Sequence, residues 1–526
     1  MSILTHIIAW PLLVALALAF VPRSLKLVMR GAAIGATLVS ALLALVMFFR
    51  FNSALAAPGS GGFKFEDQYS WVASLGISFH VGVDGLNVGL VLMSAIVAFA
   101  AACSAWEIRD REKEFYILLL VMSAGILGAF ASLDLFFFYL FHELALVPTF
   151  LMIGIWGRGE RKNYATFQIT LYLSVGALIA LAGLIALYLQ AEAGSFDIPK
   201  ITQYVRDHPL SSGEQKLIFP MLLFGFGILV SLWPFHTWAP LGYASAPAPT
   251  AMLHAGALKK FGLYGLIRVA LPLMPEAAQS WMPTLAWLAL GNLVYCGWVA
   301  MKQKDFGWLA GYSSVAHMGF VFLGIASLSS IGLTGAVVVM IAHGFLAALT
   351  FALAGYLRQE PGTLAIDQMG GVLRRMPFIG SMLMLAAFAA CGLPGFANFA
   401  GEVTVLFGAW RAFPRVTVFA CWGALIIGAI YMLRAVRNML HGPLPERWAG
   451  VVDAPHVWRK APFVLLLGCL IVFGCFPRLL TGKIAPVADQ IAQAASRGQK
   501  TATASVVAEP RFNPAGPAIS TPTLAN

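Results

Sequence analysis

Charge is what this sequence has least of. Asp, Glu, Lys and Arg make up 11% of its 526 residues and hydrophobic residues make up 60%, whereas a soluble domain is roughly a quarter charged. Such a chain cannot clothe a water-facing surface, so lipid must be its main solvent, which excludes the soluble enzyme classes. Cysteine arranged for chemistry is also missing. The six cysteines sit in apolar runs, with no C-x-x-C pair and no Cys/His cluster at metal spacing. They read as packing residues, so neither an iron–sulfur nor a zinc site is expected. No strand pattern precedes a glycine-rich turn, and no P-loop, G-x-S-x-G or HExxH motif occurs. The chain alone is therefore expected to bind no NADH and to run no hydride chemistry.

What is present is a series of apolar runs, each near the roughly 20 residues a helix needs to cross a bilayer. They lie at about 3–21, 31–49, 85–106, 115–132, 135–155, 167–190, 217–233, 250–271, 284–301, 306–328, 331–357, 378–410, 416–433 and 462–480. These boundaries predict an all-α integral membrane protein with about fourteen spans. The first run lacks a basic leading region and is read as a retained helix, not a signal peptide. Stretch 234–249, with Pro234, Pro240, Pro247 and Pro249, is too rich in proline for a regular helix and reads as the broken second half of span seven. Run 378–410 is too long for one crossing and contains Gly392-Leu393-Pro394-Gly395, so span twelve is read as broken too. Broken helices five spans apart suggest two inverted five-helix repeats, spans 4–8 and 9–13. The expected organisation is then 1–106 for spans 1–3, 115–271 and 284–433 for the repeats, 462–480 for span 14, and a disordered Ala/Thr/Pro-rich tail over 495–526. The external loops, about 51–84 and 191–216, show no recognisable domain.

The net charge of +11 follows the loops and is no sign of nucleic-acid binding. One set of connections, including Arg23, Arg109, Arg158, Lys302, Arg374 and Arg437, holds nineteen basic residues, against eight in the opposite set without the tail. The positive-inside rule places the richer set in the cytoplasm and both termini outside.

Few charges fall inside the spans, where each costs roughly 2.5–3.5 kcal/mol even on the lenient insertion scale. Those mid-way through their spans are Glu143 in span five and Lys259 and Lys260 in span eight, with Glu402 in the second half of broken span twelve. His254, His317 and His343 lie within spans eight, ten and eleven, and His236 follows the break at Pro234. Desolvation brings carboxylates and lysines toward neutrality, and histidine titrates there already. A row of such groups can pass protons and be gated by charge. The competing reading is structural: ion pairs between helices, and histidines bonded to a neighbouring carbonyl. His142, beside Glu143, is read as a supporting residue.

Several stretches together resemble the antiporter-like membrane subunits of respiratory complex I, specifically the M-type or chain 4 subunit. They are Glu143-Leu144 with Pro148, Pro234-Phe235-His236-Thr237-Trp238, Ala248-Pro249-Thr250, His254-Ala255-Gly256 leading to Lys260 and Tyr264-Gly265, Tyr312 to Gly319, and Gly401-Glu402. The resemblance covers roughly residues 80–460. It implies a subunit of NADH–quinone oxidoreductase that translocates protons, with Glu143, Lys260 and Glu402 at the span-five, span-eight and span-twelve positions and His317 and His343 bridging. It also implies that NADH, FMN, Fe–S clusters and quinone belong to partner subunits, that L- and N-type subunits are neighbours, and that the chain sits in a bacterial inner membrane with periplasmic termini. Two positions depart from the family. The lysine usual five residues before the proline of P-x-H-x-W is Leu229, and the Asp-Ala-His that often follows reads Leu241-Gly242-Tyr243. They mark a divergent branch, and Lys259 is the candidate to replace the charge missing at Leu229. A cation/proton antiporter or membrane-bound hydrogenase subunit of the same fold, or a scaffold that no longer pumps, are the alternative readings.

Overall fold

The computed structural model describes residues 1–52, 62–423, 428–448 and 450–507; the side chains of Arg447 and of 497–507 lie outside the description. Helices α1 (Ile3–Phe20) and α2 (Lys26–Arg50) form an antiparallel pair packed on α4. After the hairpin β1 (Lys64–Val72) and β2 (Ile77–Val83) come α3 (Val88–Cys103), α4 (Glu112–Ala131), α5 (Leu135–Trp156) and α6 (Lys162–Ala191). An amphipathic α7 (Ile198–Asp207) precedes α8 (Ser212–Val230) and the short α9 (Trp238–Ser245). Next stand α10 (Ala248–Gly256), a 3-10 turn at Leu258–Lys260, α11 (Phe261–Gly265), a π turn at Leu266–Ala270 and α12 (Leu271–Leu273). Helix α13 (Pro275–Leu290) continues through a π turn, Gly291–Cys296, into α14 (Gly297–Lys302). Then follow α15 (Phe306–Ala326), α16 (Ser330–Gln359), α17 (Val372–Arg375), α18 (Pro377–Ala390), α19 (Ala397–Trp410), α20 (Pro414–Cys421), α21 (Ala429–Leu440), α22 (Val457–Cys475) and α23 (Arg478–Val507).

Eleven helices among the described residues are long and apolar enough to cross a membrane. Of the other three expected spans, 250–271 and 378–410 are interrupted, and 416–433 includes residues 424–427, which lie outside the described ones, so length alone counts none of them. The span-eight interruption falls on the lysine pair itself. The span-twelve one, as expected, falls on Gly392 and Gly395, whose φ of +67° and +99° suit a residue without Cβ. The apolar middle of helix α16 is buried on all sides within the protein. Helix α19 meets it backbone to backbone: a Cβ on Gly408 would stand 2.3 Å from the Gly332 nitrogen. Small residues permit this approach, which helices in lipid need in place of a hydrophobic drive.

The break between α8 and α9 frees backbone groups that lipid cannot satisfy. One side chain takes them up. Asn292, in the π turn after α13, donates to Ser231 O at 2.9 Å and to Val315 O at 3.1 Å, and its Oδ1 accepts from Trp233 N at 2.8 Å. Trp238 Nε1 adds a bond to Ile228 O at 3.0 Å.

Two expectations are corrected. The 51–84 loop holds a β-hairpin, paired antiparallel from Lys64↔Val83 to Val72↔Ile77. Strand β1 is largely exposed, so it lacks the apolar alternation that would have marked it. The tail does not become irregular at 495: α23 runs to Val507, and residues from 508 on lie outside the described ones. Its buried positions Leu480, Ile484, Ala488, Ile491 and Ala495 recur at helical spacing and form one apolar stripe. That stripe packs on α12, α13 and α16.

The hairpin is joined to the bundle through a buried ion pair. Arg268 Nη2 donates to Asp84 Oδ1 at 2.6 Å and Arg268 Nε to Tyr264 OH at 3.2 Å. Removing one partner of a buried pair leaves an uncompensated charge, a loss of about 3–5 kcal/mol, while removing both is far milder. Arg268→Met is therefore expected to lower the amount of assembled protein and its melting temperature in detergent. Arg268→Met with Asp84→Asn should recover much of both. Equal losses in the single and double variants would refute this account of the pair.

Candidate proton-transfer site

The lysine turn sets the geometry. A 3-10 turn separates consecutive side chains by about 120°, so Lys259 and Lys260 face different helices. Lys260, fully buried, donates to Ala255 O and lies 2.9 Å from His343 Nδ1 on α16. The His343 and His317 rings are 5.4 Å apart. His317, on α15, turns Nδ1 to Ser313 O at 2.8 Å, leaving Nε2 3.6 Å from Glu402 Oε1. The file Lys260–His343–His317–Glu402 thus joins four helical segments inside the bundle.

Small cavities accompany it. One of about 20 Å³ is lined by His317, Glu402 and Tyr431 among others. Another of about 10 Å³ touches Ser313, Ser314, His317 and His343. The larger has room for one water, which needs roughly 10–15 Å³. Glu402 Oε1 and both side-chain heteroatoms of Asn398, one turn earlier on α19, are buried without a hydrogen bond among the described residues. Such groups are costly in a dry interior and favour hydration.

Lys259 flanks the file. Its Nζ lies 3.4 Å from Ser314 Oγ and 5.7 Å from the centroid of the Tyr243 ring. Tyr243 OH pairs with His254 Nδ1 at 3.1 Å. These contacts direct Lys259 toward Ser314 on α15 and the Tyr243 ring. His236 is separate: Nδ1 meets Pro234 O at 3.1 Å, and the ring is bordered by Tyr295 and Tyr312.

Glu143 also stands apart from the file. Asp134 caps α5 through the Phe136 and Phe137 amides, and Pro148 interrupts its backbone bonding one turn after Glu143. The Glu143 side chain is 31% exposed, with His142 Nδ1 at 3.5 Å. Among the described residues it has no lysine or arginine partner.

Sequence reasoning underweighted several groups here. His142 was read as supporting, and Tyr243 was noted only as a departure from the family pattern. Ser313 and Ser314 lay unremarked inside the Tyr312–Gly319 motif. Tyr431, which donates to Ser313 Oγ at 2.9 Å, carried no sequence signal.

Glu402 closes the file and provides a test. If the file carries protons, Glu402→Gln should weaken proton transfer across the membrane, while Glu402→Asp, which keeps the charge on a shorter arm, should retain part of it. Equal behaviour of the two variants would show that the carboxylate charge is not what matters.

Interrupted helices with titratable groups buried between them define an antiporter-like membrane subunit. The chain belongs to the family described as NADH:quinone oxidoreductase/Mrp antiporter, transmembrane, whose model matches residues 132–428, and within it to the branch of chain 4 or subunit M. An NAD(P)H-quinone oxidoreductase chain 4 of Trichodesmium erythraeum is 36% identical over 445 residues, covering 83% of this chain and 78% of the relative. NADH-quinone oxidoreductase subunit M of Rhodobacter capsulatus is 33% identical over 470 residues, 88% and 90% of the two chains. A chain of respiratory complex I from Thermus thermophilus with bound NADH superposes with a TM-score of 0.84 at 28% identity, over 94% of this chain and 99% of that one. A chain of the Mrp complex from Dietzia sp., at 18% identity and a TM-score of 0.80 over 94% and 98%, shares the fold.

Proposed function

We infer that this chain is a membrane-arm subunit of an NADH–quinone oxidoreductase and that it translocates protons, coupled to NADH oxidation and quinone reduction elsewhere in the complex. The observation that carries this reading is the buried file Lys260–His343–His317–Glu402. Four titratable groups set close together at membrane depth are expensive to maintain and suit proton transfer. In this reading Lys260 is the central proton-holding group, His343 and His317 bridge, and Glu402 serves the external side. Lys259 and His254, linked through Tyr243, supply the file from the first repeat, with His236 beside the break. Glu143 is the charge whose protonation biases the lysines.

The redox work then belongs to partner chains that hold NADH, FMN, Fe–S clusters and quinone, with L- and N-type subunits as neighbours. As a translocase subunit the chain would sit in a bacterial inner membrane with both termini on the periplasmic side, the orientation that loop charge favours. Helices 4–8 and 9–13 of the fourteen-span scheme would form the two half-channel units. One feature favours a second reading, a scaffold without pumping: Leu229, fully apolar, where the family usually carries lysine. The ratio of protons moved to electrons passed by the purified complex in liposomes separates the two. Combining Glu143→Gln with Lys260→Met should lower that ratio, and an unchanged ratio in the assembled double variant would leave only the scaffold.

A further inference from the structure

Glu143 lacks a lysine, yet a group able to carry a proton stands next to it on its own helix. His142 Nδ1 is 3.5 Å from Glu143 Oε1, and His142 is 2% exposed. Neither of these two atoms has a hydrogen bond to another group among the described residues. The ring is held by stacking on Phe261, centroids 4.2 Å apart and planes 22° off parallel. Phe261 directly follows Lys260 in the chain. His142 therefore lies between the Glu143 carboxylate of α5 and the turn that carries the central lysine.

We propose that His142 is a proton-carrying residue of this subunit, exchanging a proton with Glu143 and supplying the switchable positive charge that position 229 lacks. The proposal rests on the functional reading above. In one state an imidazolium faces a carboxylate. Transfer breaks the Nδ1–H bond and forms an O–H bond on Oε1, leaving a neutral ring beside a neutral acid; the reverse step restores the pair. Nothing is oxidised or reduced. The change removes one positive and one negative charge beside the Lys260 turn, in a setting where charge interactions are weakly screened.

The position of Leu229 makes a rescue experiment possible. Phe226 on α8 meets Phe138 on α5 at 6.2 Å and Phe261 at 5.8 Å. Position 229 lies three residues after Phe226 on α8, and His142 lies four residues after Phe138 on α5. A lysine at 229 could serve the same carboxylate from the neighbouring helix.

A purely structural His142 would only fill space and stack. His142→Phe keeps the aromatic stack and cannot carry the proton. In inverted membrane vesicles containing the assembled complex, His142→Phe is expected to lower NADH-driven proton pumping by on the order of a hundredfold, the scale of one lost proton-transfer group. Adding Leu229→Lys should restore most of it. If His142→Phe pumps like the parent while Glu143→Gln does not, the proposal is overturned and the functional reading stands. If both pump like the parent, the functional reading fails as well. A loss that Leu229→Lys does not restore also overturns the proposal, because it means the ring is needed for something other than its charge. Should His142→Phe not assemble, His142→Asn is measured with the same outcomes.

Discussion

Glu143→Gln is expected to leave the complex assembled and to cut proton pumping by on the order of a hundredfold, a loss of about 2.7 kcal/mol in the coupled step. The glutamine keeps the shape and hydrogen-bonding capacity of the carboxylate. What it removes is the ability to alternate between charged and neutral. The side chain is 31% exposed, so the substitution opens no cavity and should not disturb folding. NADH oxidation should fall with pumping, because a coupled machine stalls when one of its proton steps is blocked. Both rates are read together in membrane vesicles, with the amount of assembled complex as control. Full pumping by an assembled Glu143→Gln complex would remove Glu143 from the mechanism.

Lys260→Met is expected to have an effect of similar size, for a different reason. Lys260 is fully buried and its Nζ lies 2.9 Å from His343 Nδ1. Methionine has nearly the same length and no charge, so packing is preserved while the file loses the group at its head. A conservative Lys260→Arg should also fail, since guanidinium does not give up its proton in proteins. Lys259→Met provides the contrast. Its Nζ reaches Ser314 beside the file, so a smaller loss is expected there. If Lys259→Met were the more damaging of the two, the order of the file as drawn would be wrong.

Much of the architecture was legible because its causes are local. Apolar runs announce helices in lipid whatever surrounds them. Proline at 234, 240, 247 and 249 and the Gly-Leu-Pro-Gly at 392–395 announced the breaks, since both residue types act on their own backbone. The buried charges could be found by their rarity alone. What stayed hidden depends on distant partners. Nothing in Ala257-Leu258-Lys259-Lys260 says that the chain tightens there into a 3-10 turn, yet that turn sends the two lysines to different helices. The pairing of Lys259 with Ser314 joins residues 55 apart in sequence, and the link from His317 to Glu402 crosses from α15 to α19. Strand β1 went unseen because both of its faces are largely exposed. The C-terminal α23 was missed because the end of the chain was read as an Ala/Thr/Pro-rich disordered tail from 495, although the apolar stripe from Leu480 to Ala495 was in plain view.

The amide of Asn292 has a mechanical consequence. It holds Ser231 O and Trp233 N at the interruption of α8 and Val315 O on α15, and Val315 lies between Ser314, which Lys259 touches, and His317 in the file. Three backbone groups from two distant stretches of chain therefore share one side chain. If the gap in α8 widened or rotated, the bonds could survive only if α15 moved with it. The two halves of the bundle are geared at this tooth, so a displacement begun beside the first break arrives at the histidines as a change of spacing as well as a change of field.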